Sequence, residues 1–383
     1  MLLIDHCKLI TESDLEGDQI LIDGGKIAAV GYDLEVPEGT EVIDAAGRFV
    51  TPGLVESHCH VGCRSLASSD INEKTDPLYP GLRGIDALDF DCPYFYRALR
   101  TGVTTLVTGP GSANLMGGTF VAIKTAADRP TERVIKEEAT LKMAFGENPK
   151  FAYGKKGKAP ATRMASAAMV RDMFYKAKHY REKWLKYCEE GGSFTYDHNL
   201  HSLMRAFDGM RVKMHAHTAD DIMTAIRIGK EFGINISIDH CTEGMLIVDE
   251  IKASGYPVIL GPLAGGKSKL ELENKSMEIV GIMEKAGVPF SLTTDCTVIP
   301  MEGLLMQAAL VVKYGASREA VLKGLTIQAA RNTDIDDRVG SIEPGKDADI
   351  VIWNMHPFDA MARPDMVLVD GKVRYYGKED AVC

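Results

Sequence analysis

The alternation of apolar and polar positions changes character twice along this chain. The first ~50 residues read as short strands joined by tight turns. QILIDGGKIAAVG is two strands around a Gly-Gly turn, a hairpin signal, and EVIDAAGRFVTPG continues the pattern. The other end repeats the style in GSIEPGKDADIVIWN and MVLVDGKVRYYG, with Asp370-Gly371 as a second hairpin turn. Two β-rich ends around a long middle imply one small β domain built from both termini, residues 1–50 and 341–383.

In the middle, strand and helix signals alternate, which implies parallel strands with crossover helices. Candidate strands lie at residues 49–60, 104–109, 119–125, 140–146, 211–217, 235–240, 256–262 and 289–295. TADDIMTAIRIGKEFG is a helical pattern between two of them, with Gly233 as its stop signal. Residues 164–190 read as a long amphipathic helix whose Met and aromatic positions are core contacts. Residues 147–163 are polar, basic and rich in Gly and Pro, and read as a loop, either at an active site or on the surface. Eight strands alternating with helices favour a closed barrel over an open sheet. The expected fold class is therefore α/β: a (β/α)₈ barrel over residues 51–340, with a small β-sandwich domain formed by both chain termini. A barrel takes ~250 residues, so a chain of 383 accommodates both.

Composition narrows the partners. Apolar residues make up 45% and charged residues 26%, the balance of an ordinary globular protein. The net charge of −10 argues against nucleic acid, which needs a basic face. MLLIDHCKLITESD has no basic leader and no long apolar run, so neither a signal peptide nor a membrane span is expected. Eight scattered Cys without a CxxC pattern fit free thiols in a reducing cytoplasm. Cys59, Cys241 and Cys296 adjoin candidate ligands and are read as packing residues. The expected partner is a small-molecule substrate, and the expected assembly a homo-oligomer.

The histidines carry the chemistry. TPGLVESHCHVG ends a strand with His58-x-His60, and alternate strand residues point the same way. Two imidazoles therefore project together at the C-terminal end of a strand, where barrel active sites sit. Neutral imidazole is a favoured ligand of zinc and related metals. A lone HxH is weak evidence, but the pattern recurs. VKMHAH puts His215 and His217 at one strand end, ISIDH puts His240 at the next, and SLTTD puts Asp295 at the last. Six such groups ending four strands, in a chain with ten His, point to a divalent metal site. A second ion would need an anionic bridge, which a carbamylated strand lysine can supply. Lys142 on the fourth candidate strand and Lys124 on the third are the candidates; a salt-bridged lysine is the bland reading of each.

At this point the chain resembles the amidohydrolase superfamily, in the branch related to imidazolonepropionase and the zinc-dependent Xaa-Pro dipeptidases and carboxypeptidases. PGLVESHCH resembles the first-strand motif of that family, and GVTTLVTGPGSANLMGG its second-strand region. VKMHAHTADDI, ISIDHCTEG and LTTD resemble the fifth, sixth and eighth strand motifs, and GSIEPGKDADIVIWN the C-terminal β signature. The resemblance implies that His58, His60 and Asp295 hold one metal, and that His215 and His240 hold the other in binuclear members. It places Lys142 where those members carry the bridging carbamate, although LKMAFGENP is a looser match. Cys296 stands where close relatives often have histidine. The cofactor implied is Zn²⁺, with Mn²⁺ as the alternative, at one or two ions per chain.

A rival motif is GPLAGGKS, Gly261 to Ser268, which matches the P-loop pattern of nucleotide-binding proteins. Pro262 removes one backbone donor from such a loop, and the polar KLELENKSMEI that follows does not open into an apolar helix. The mechanism expected instead is hydrolysis of a C–N bond in an N-acyl amino acid, dipeptide or cyclic amide by metal-activated water. Asp295 is the general base and then acid, and His240 or His217 stabilises the oxyanion. Arg163 and Lys267 are the candidates for binding a substrate carboxylate. Deamination of an aromatic ring on the same fold is the alternative reaction.

Overall fold

A computed structural model of the protein describes residues 1–11, 16–65 and 69–377. The last six residues of the expected C-terminal β segment, Cys383 among them, lie outside the described residues.

Eight strands form the central sheet: β1 Leu54–Cys59, β2 Val103–Thr108, β3 Met116–Lys124, β4 Val134–Ala144, β5 Val212–Ala216, β6 Ile236–His240, β7 Val258–Leu260 and β8 Phe290–Leu292. They lie side by side in chain order. Their residues are buried, apart from residues 134–138 at the start of β4, because both faces of the sheet are covered. The two outer strands meet through side chains and loop ends. Ser57 Oγ lies 2.9 Å from Ser291 Oγ, Thr293 Oγ1 donates to the His58 carbonyl (2.5 Å), and His60 N–H donates to the Cys296 carbonyl (2.7 Å). The sheet is thus a nearly closed barrel of the expected class.

Three expectations are corrected. First, the strands are not all parallel. β1, β2 and β4 to β8 share one direction, whereas β3 pairs antiparallel with both β2 and β4. Antiparallel neighbours need no crossover helix, and β3 is joined to them by residues 109–115 and 125–133, the latter holding only the short 3₁₀ turn Pro130–Arg133. Second, residues 49–60 are two strands. Phe49–Pro52 belongs to a terminal sheet and β1 to the barrel. They part at Gly53, where a Cβ would fall 2.1 Å from Thr104 Oγ1. Third, residues 147–163 are only partly loop. Glu147–Gly154 is a helix, with Pro149 in its first turn, where the missing N–H costs nothing, and Tyr153 buried.

Local chemistry elsewhere acts as the sequence predicts. The helix Ala219–Phe232 begins at Thr218, whose hydroxyl accepts the Asp221 N–H, and ends at Gly233 with φ +63°. The long helix runs Arg163–Glu190 and buries Val170, Phe174, Ala177 and Tyr180, but Met164, Tyr175 and Tyr187 are exposed, so its Met and aromatic positions are core contacts only in part. Gly24-Gly25 and Asp370-Gly371 all have positive φ and turn the two expected hairpins, Gln19–Asp23 with Lys26–Gly31 and Pro364–Val369 with Lys372–Tyr376.

The termini form two further sheets. One holds four N-terminal strands. The other sets Lys8–Leu9 and Phe49–Pro52 beside three C-terminal strands, Ile350 opposing Pro52 and Trp353 opposing Phe49. No described helix is long and apolar enough to cross a membrane.

Candidate metal centre

Each of the six strand-end groups is set by the strand that carries it. β1 delivers His58 and then His60, β5 delivers His215 and then His217, β6 ends on His240, and Asp295 follows β8. All seven parallel strands present their C-terminal ends to one pole of the barrel, so the six groups converge there. The ring centroids of His58 lie 5.4 Å from His60 and 5.2 Å from His240; His215 lies 4.4 Å from His240 and 4.6 Å from His217. Two groups bring donor atoms within 4.8 Å of one another: His58, His60 and Asp295, and His215, His217 and Glu271.

The histidines share one orientation. His60 Nδ1 donates to the Gly109 carbonyl (2.8 Å) and His240 Nδ1 to the Gly261 carbonyl (2.6 Å). His215 Nδ1 meets Ser112 Oγ (3.0 Å), His217 Nδ1 meets Thr242 Oγ1 (2.8 Å), and His58 Nδ1 lies 2.8 Å from Asp239 Oδ2. An outer partner on Nδ1 fixes the ring and leaves Nε2 facing inward, the arrangement metal-ligating histidines need. Burial holds His58, His215, His217 and His240 below the usual imidazole range, so they are neutral, the form that donates a lone pair. For Asp295, burial works upward, but the contacts with His60 and the neighbouring imidazoles overcome it and hold the carboxyl below the usual range.

The geometry suits a small divalent ion. Ligand bonds of ~2.1 Å in a tetrahedron set donor atoms roughly 3.4 Å apart. His60 Nε2 is 3.2 Å and His58 Nε2 3.8 Å from Asp295 Oδ1. His58 Nε2 and Asp295 Oδ1 are buried and have no hydrogen-bond partner. Buried polar atoms are rarely left so, and a shared cation is the group that satisfies a lone pair and a carboxylate together. His240 and Asp295 also carry positive φ, +71° and +50°, a conformation costly for residues other than Gly and concentrated at functional sites.

Groups beneath the ligands brace them. Glu56 Oε2 accepts the Thr294 N–H (3.0 Å) and hydroxyl (2.8 Å), and Oε1 accepts the His58 N–H (3.3 Å), so one carboxylate ties β1 to the segment bearing Asp295. Burial raises Glu56 to about 7, against the pull of those donors. Asp239 faces His58, Lys142 (3.7 Å) and Lys213 (3.3 Å). Burial raises its carboxyl, yet those three cationic or donor groups drive it well below the usual range.

The two candidate lysines part company. Lys142 sits opposite Gly118 of β3 and Lys213 of β5, with Nζ buried and without a hydrogen-bond partner. Burial, against the pull of Asp239, lowers it to about 8. Lys124 ends β3, and β3 runs the other way. Its Nζ therefore lies at the opposite pole, 2.7 Å from Asp349, 3.0 Å from Asp347 and 3.3 Å from Asp370. That excludes Lys124 as a bridge.

The expected carboxylate binders are placed elsewhere. Arg163 contacts Asp221 (3.2 Å), Asp220 (3.6 Å) and the Thr218 hydroxyl (3.1 Å). Lys267 is exposed, its Nζ donating to the Glu273 carbonyl. Lys269 is the lysine of that loop that reaches the centre, meeting Glu271 and Asn148. The P-loop reading is overturned with it: after β7 only the 3₁₀ turn Leu270–Leu272 forms, and the next α-helix starts at Ile279, so no helix N-terminus backs Gly261 to Ser268. Burial raises Cys59 and Cys296, the latter to about 12, and these thiols pack rather than ligate.

Sequence reasoning missed Asp239, Lys213 and Glu56, although each is a charge inside an apolar strand, in ISIDH, VKMH and LVESH. It also missed Glu271, Asn148 and Lys269, which sit in polar runs that nothing distinguishes locally.

The sequence profile described as the amidohydrolase family matches residues 49–374. The chain belongs to the amidohydrolase family. It is a metal-dependent hydrolase of C–N bonds. An amidohydrolase structure from Thermotoga maritima is 39% identical, with a TM-score of 0.94, over 98% of this chain and 100% of that one. The imidazolonepropionase of Paracoccus denitrificans is 25% identical over 95% of this amidohydrolase and 96% of its own length. The amidohydrolase tasK of Hapsidospora irregularis is 28% identical over 93% of this chain, which spans 40% of that longer protein.

Proposed function

We propose that this amidohydrolase cleaves a cyclic or non-terminal C–N amide bond of a small substrate, using a divalent ion held by His58, His60 and Asp295. The observation that carries the reading is the convergence of two inward Nε2 atoms and an orphaned carboxylate oxygen at 3.2 and 3.8 Å. Two imidazoles and a carboxylate favour Zn²⁺, with Mn²⁺ as the alternative. When bound, the ion supplies Lewis acidity and a water that ionises near neutral pH. Asp295 would accept a proton from the attacking water and return it to the leaving nitrogen. His240, its Nδ1–H donated to the Gly261 carbonyl, turns Nε2 into the site, where a proton taken up on Nε2 would let it donate to the developing oxyanion, and His217 lies stacked against it at 4.9 Å.

Lys142, with the ammonium disfavoured by burial, would as the neutral amine add to CO₂, releasing a proton, and the resulting carbamate with His215 and His240 would hold a second ion. The relatives named imidazolonepropionase support a cyclic amide as substrate class. The seven described free cysteines, six of them buried, fit the cytoplasm, and a homo-oligomer is proposed for the assembly, as is a division into a terminal β domain and a barrel, with the expected 50/51 boundary moved to Gly53 so that Phe49–Pro52 stays in its sheet, and the second boundary at 340/341.

The test combines metal analysis with a screen of cyclic amides, N-acyl amino acids and dipeptides. Wild type should carry tightly bound metal and hydrolyse one class; His58→Ala with His60→Ala should lose both. Retention of the metal in that double variant would place the ion elsewhere.

A further inference from the structure

Lys269 stands between a buried carboxylate and the open mouth of the barrel. The side chain of Glu271 is 2% exposed and that of Lys269 26%, so the carboxylate lies behind the ammonium. Glu271 Oε1 pairs with Lys269 Nζ, and its other oxygen accepts the Glu147 N–H (3.0 Å). Asn148 Oδ1 accepts a second bond from Nζ (3.2 Å), and Asn148 Nδ2 lies 3.3 Å from His215 Nε2. The loop after β7 is thereby pinned beside the histidines of β5. A lysine held in this way gives up less side-chain freedom when it meets a ligand.

An ammonium carries three N–H donors, and among the described residues Glu271 and Asn148 take two of them. One paired carboxylate does not exhaust such a group. At the other pole Lys124 meets three carboxylates, at 2.7, 3.0 and 3.3 Å. In the nearly closed barrel β5 lies four strands from β1 and three from β8. Lys269 therefore stands across the mouth from His58, His60 and Asp295. A substrate with its scissile carbonyl at those three residues extends its far end toward Lys269. We propose that Lys269 determines specificity by binding a carboxylate at that far end, so that amides bearing a free carboxylate are preferred over their neutral counterparts. The proposal rests on the hydrolytic reading above for the position of the scissile bond. It moves the carboxylate-binding role from Arg163, which is engaged by Asp220 and Asp221, and from exposed Lys267 to Lys269.

The experiment measures kcat/KM of the metal-loaded enzyme for matched pairs: N-acyl amino acids, dipeptides and carboxylate-bearing cyclic amides, each against its own carboxamide. Calorimetry follows binding of the same compounds, and elemental analysis gives metal per chain. Wild type should favour the carboxylate member of a pair. Lys269→Met should lower kcat/KM and affinity for that member about 10- to 100-fold, the range for a hydrogen bond to a charged group. It should leave the carboxamide unchanged and keep its metal, and Lys269→Arg should recover part of the loss. An equal loss on both members, or loss of metal, makes Lys269 a structural residue and overturns the proposal. A wild-type preference for carboxamides overturns it while the hydrolytic reading stands. If wild type hydrolyses none of the compounds, the hydrolytic reading fails and calorimetry decides the proposal. Carboxylate binding that Lys269→Met weakens then supports it, and carboxylate binding that is absent or unweakened overturns it.

Discussion

Lys142 and Lys124 lie on adjacent, hydrogen-bonded strands, and both are buried, at 0% and 1% exposure. Their surroundings are opposite. Lys142 has Asp239 at 3.7 Å, no hydrogen bond, and the Phe120 ring 5.8 Å away. Burial leaves its ammonium disfavoured. Lys124 faces three aspartates; burial works against its charge, but Asp349, Asp370 and Asp347 overcome it and raise the group above its ordinary value. Arg338 joins the same cluster, 2.8 Å from Asp347. Asp347, Asp349 and Asp370 come from the C-terminal segment, so the Lys124 pole ties the barrel to the terminal sheets. The Lys142 pole carries the chemistry. The difference arises from strand direction, because β3 alone points its C-terminal end away from the histidines. Burial of a lysine thus says nothing about its role until the partner charges are counted.

Four measurements test this division of labour between the poles. The largest effect belongs to the metal pole: strong chelation should abolish hydrolysis and Zn²⁺ or Mn²⁺ should restore it. Full turnover in verified metal-free enzyme would remove the chemistry from that pole.

Next, Asp295→Asn keeps the shape of the side chain and loses the base. Turnover should fall by ~10²–10⁴, with thermal stability close to wild type. Near-normal turnover would mean another group moves the proton.

The third measurement crosses the two lysines. Lys124→Met strands buried aspartates and should cost about 3 kcal/mol in denaturant unfolding. Lys142→Met removes a desolvated ammonium whose partner Asp239 keeps Lys213 at 3.3 Å, and should leave stability unchanged or raised. Equal losses in the two variants would erase the contrast.

The smallest effect is acid-dependent. Burial tends to raise Asp347, but Arg338, Lys124 and Lys26 hold its carboxyl down to about 2. A depressed carboxyl contributes stability above its unfolded value of ~4, lost as pH falls from ~4 to ~2. Wild type should exceed Asp347→Asn by about 2 kcal/mol at pH 6, and the gap should close toward pH 2. A gap independent of pH would show that the aspartate is held by shape rather than charge.

Much of this was legible in the chain. The alternation of strand and helix signals located all eight barrel strands, and the Gly-Gly and Asp-Gly turns located the hairpins, because backbone turn chemistry is local. His58, His60, His215, His217, His240 and Asp295 were visible because a strand end in a parallel barrel is also a pole of the molecule. Lys124 shows where that logic stops. Its sequence context, FVAIKT, resembles that of a mouth lysine, yet direction is a property of pairing, and pairing is decided by which neighbours a strand finds. Glu271 shows the same limit from the other side. In KLELEN it is one charge among several, and only the fold of the loop after β7 brings it within 3.6 Å of His217. The sequence by itself determined the elements and the metal-binding residue types, since these follow from local periodicity and side-chain chemistry. Tertiary structure alone decided which buried charges meet, because counter-charges such as Lys124 and Asp349 are 225 residues apart along the chain and adjacent only in the fold.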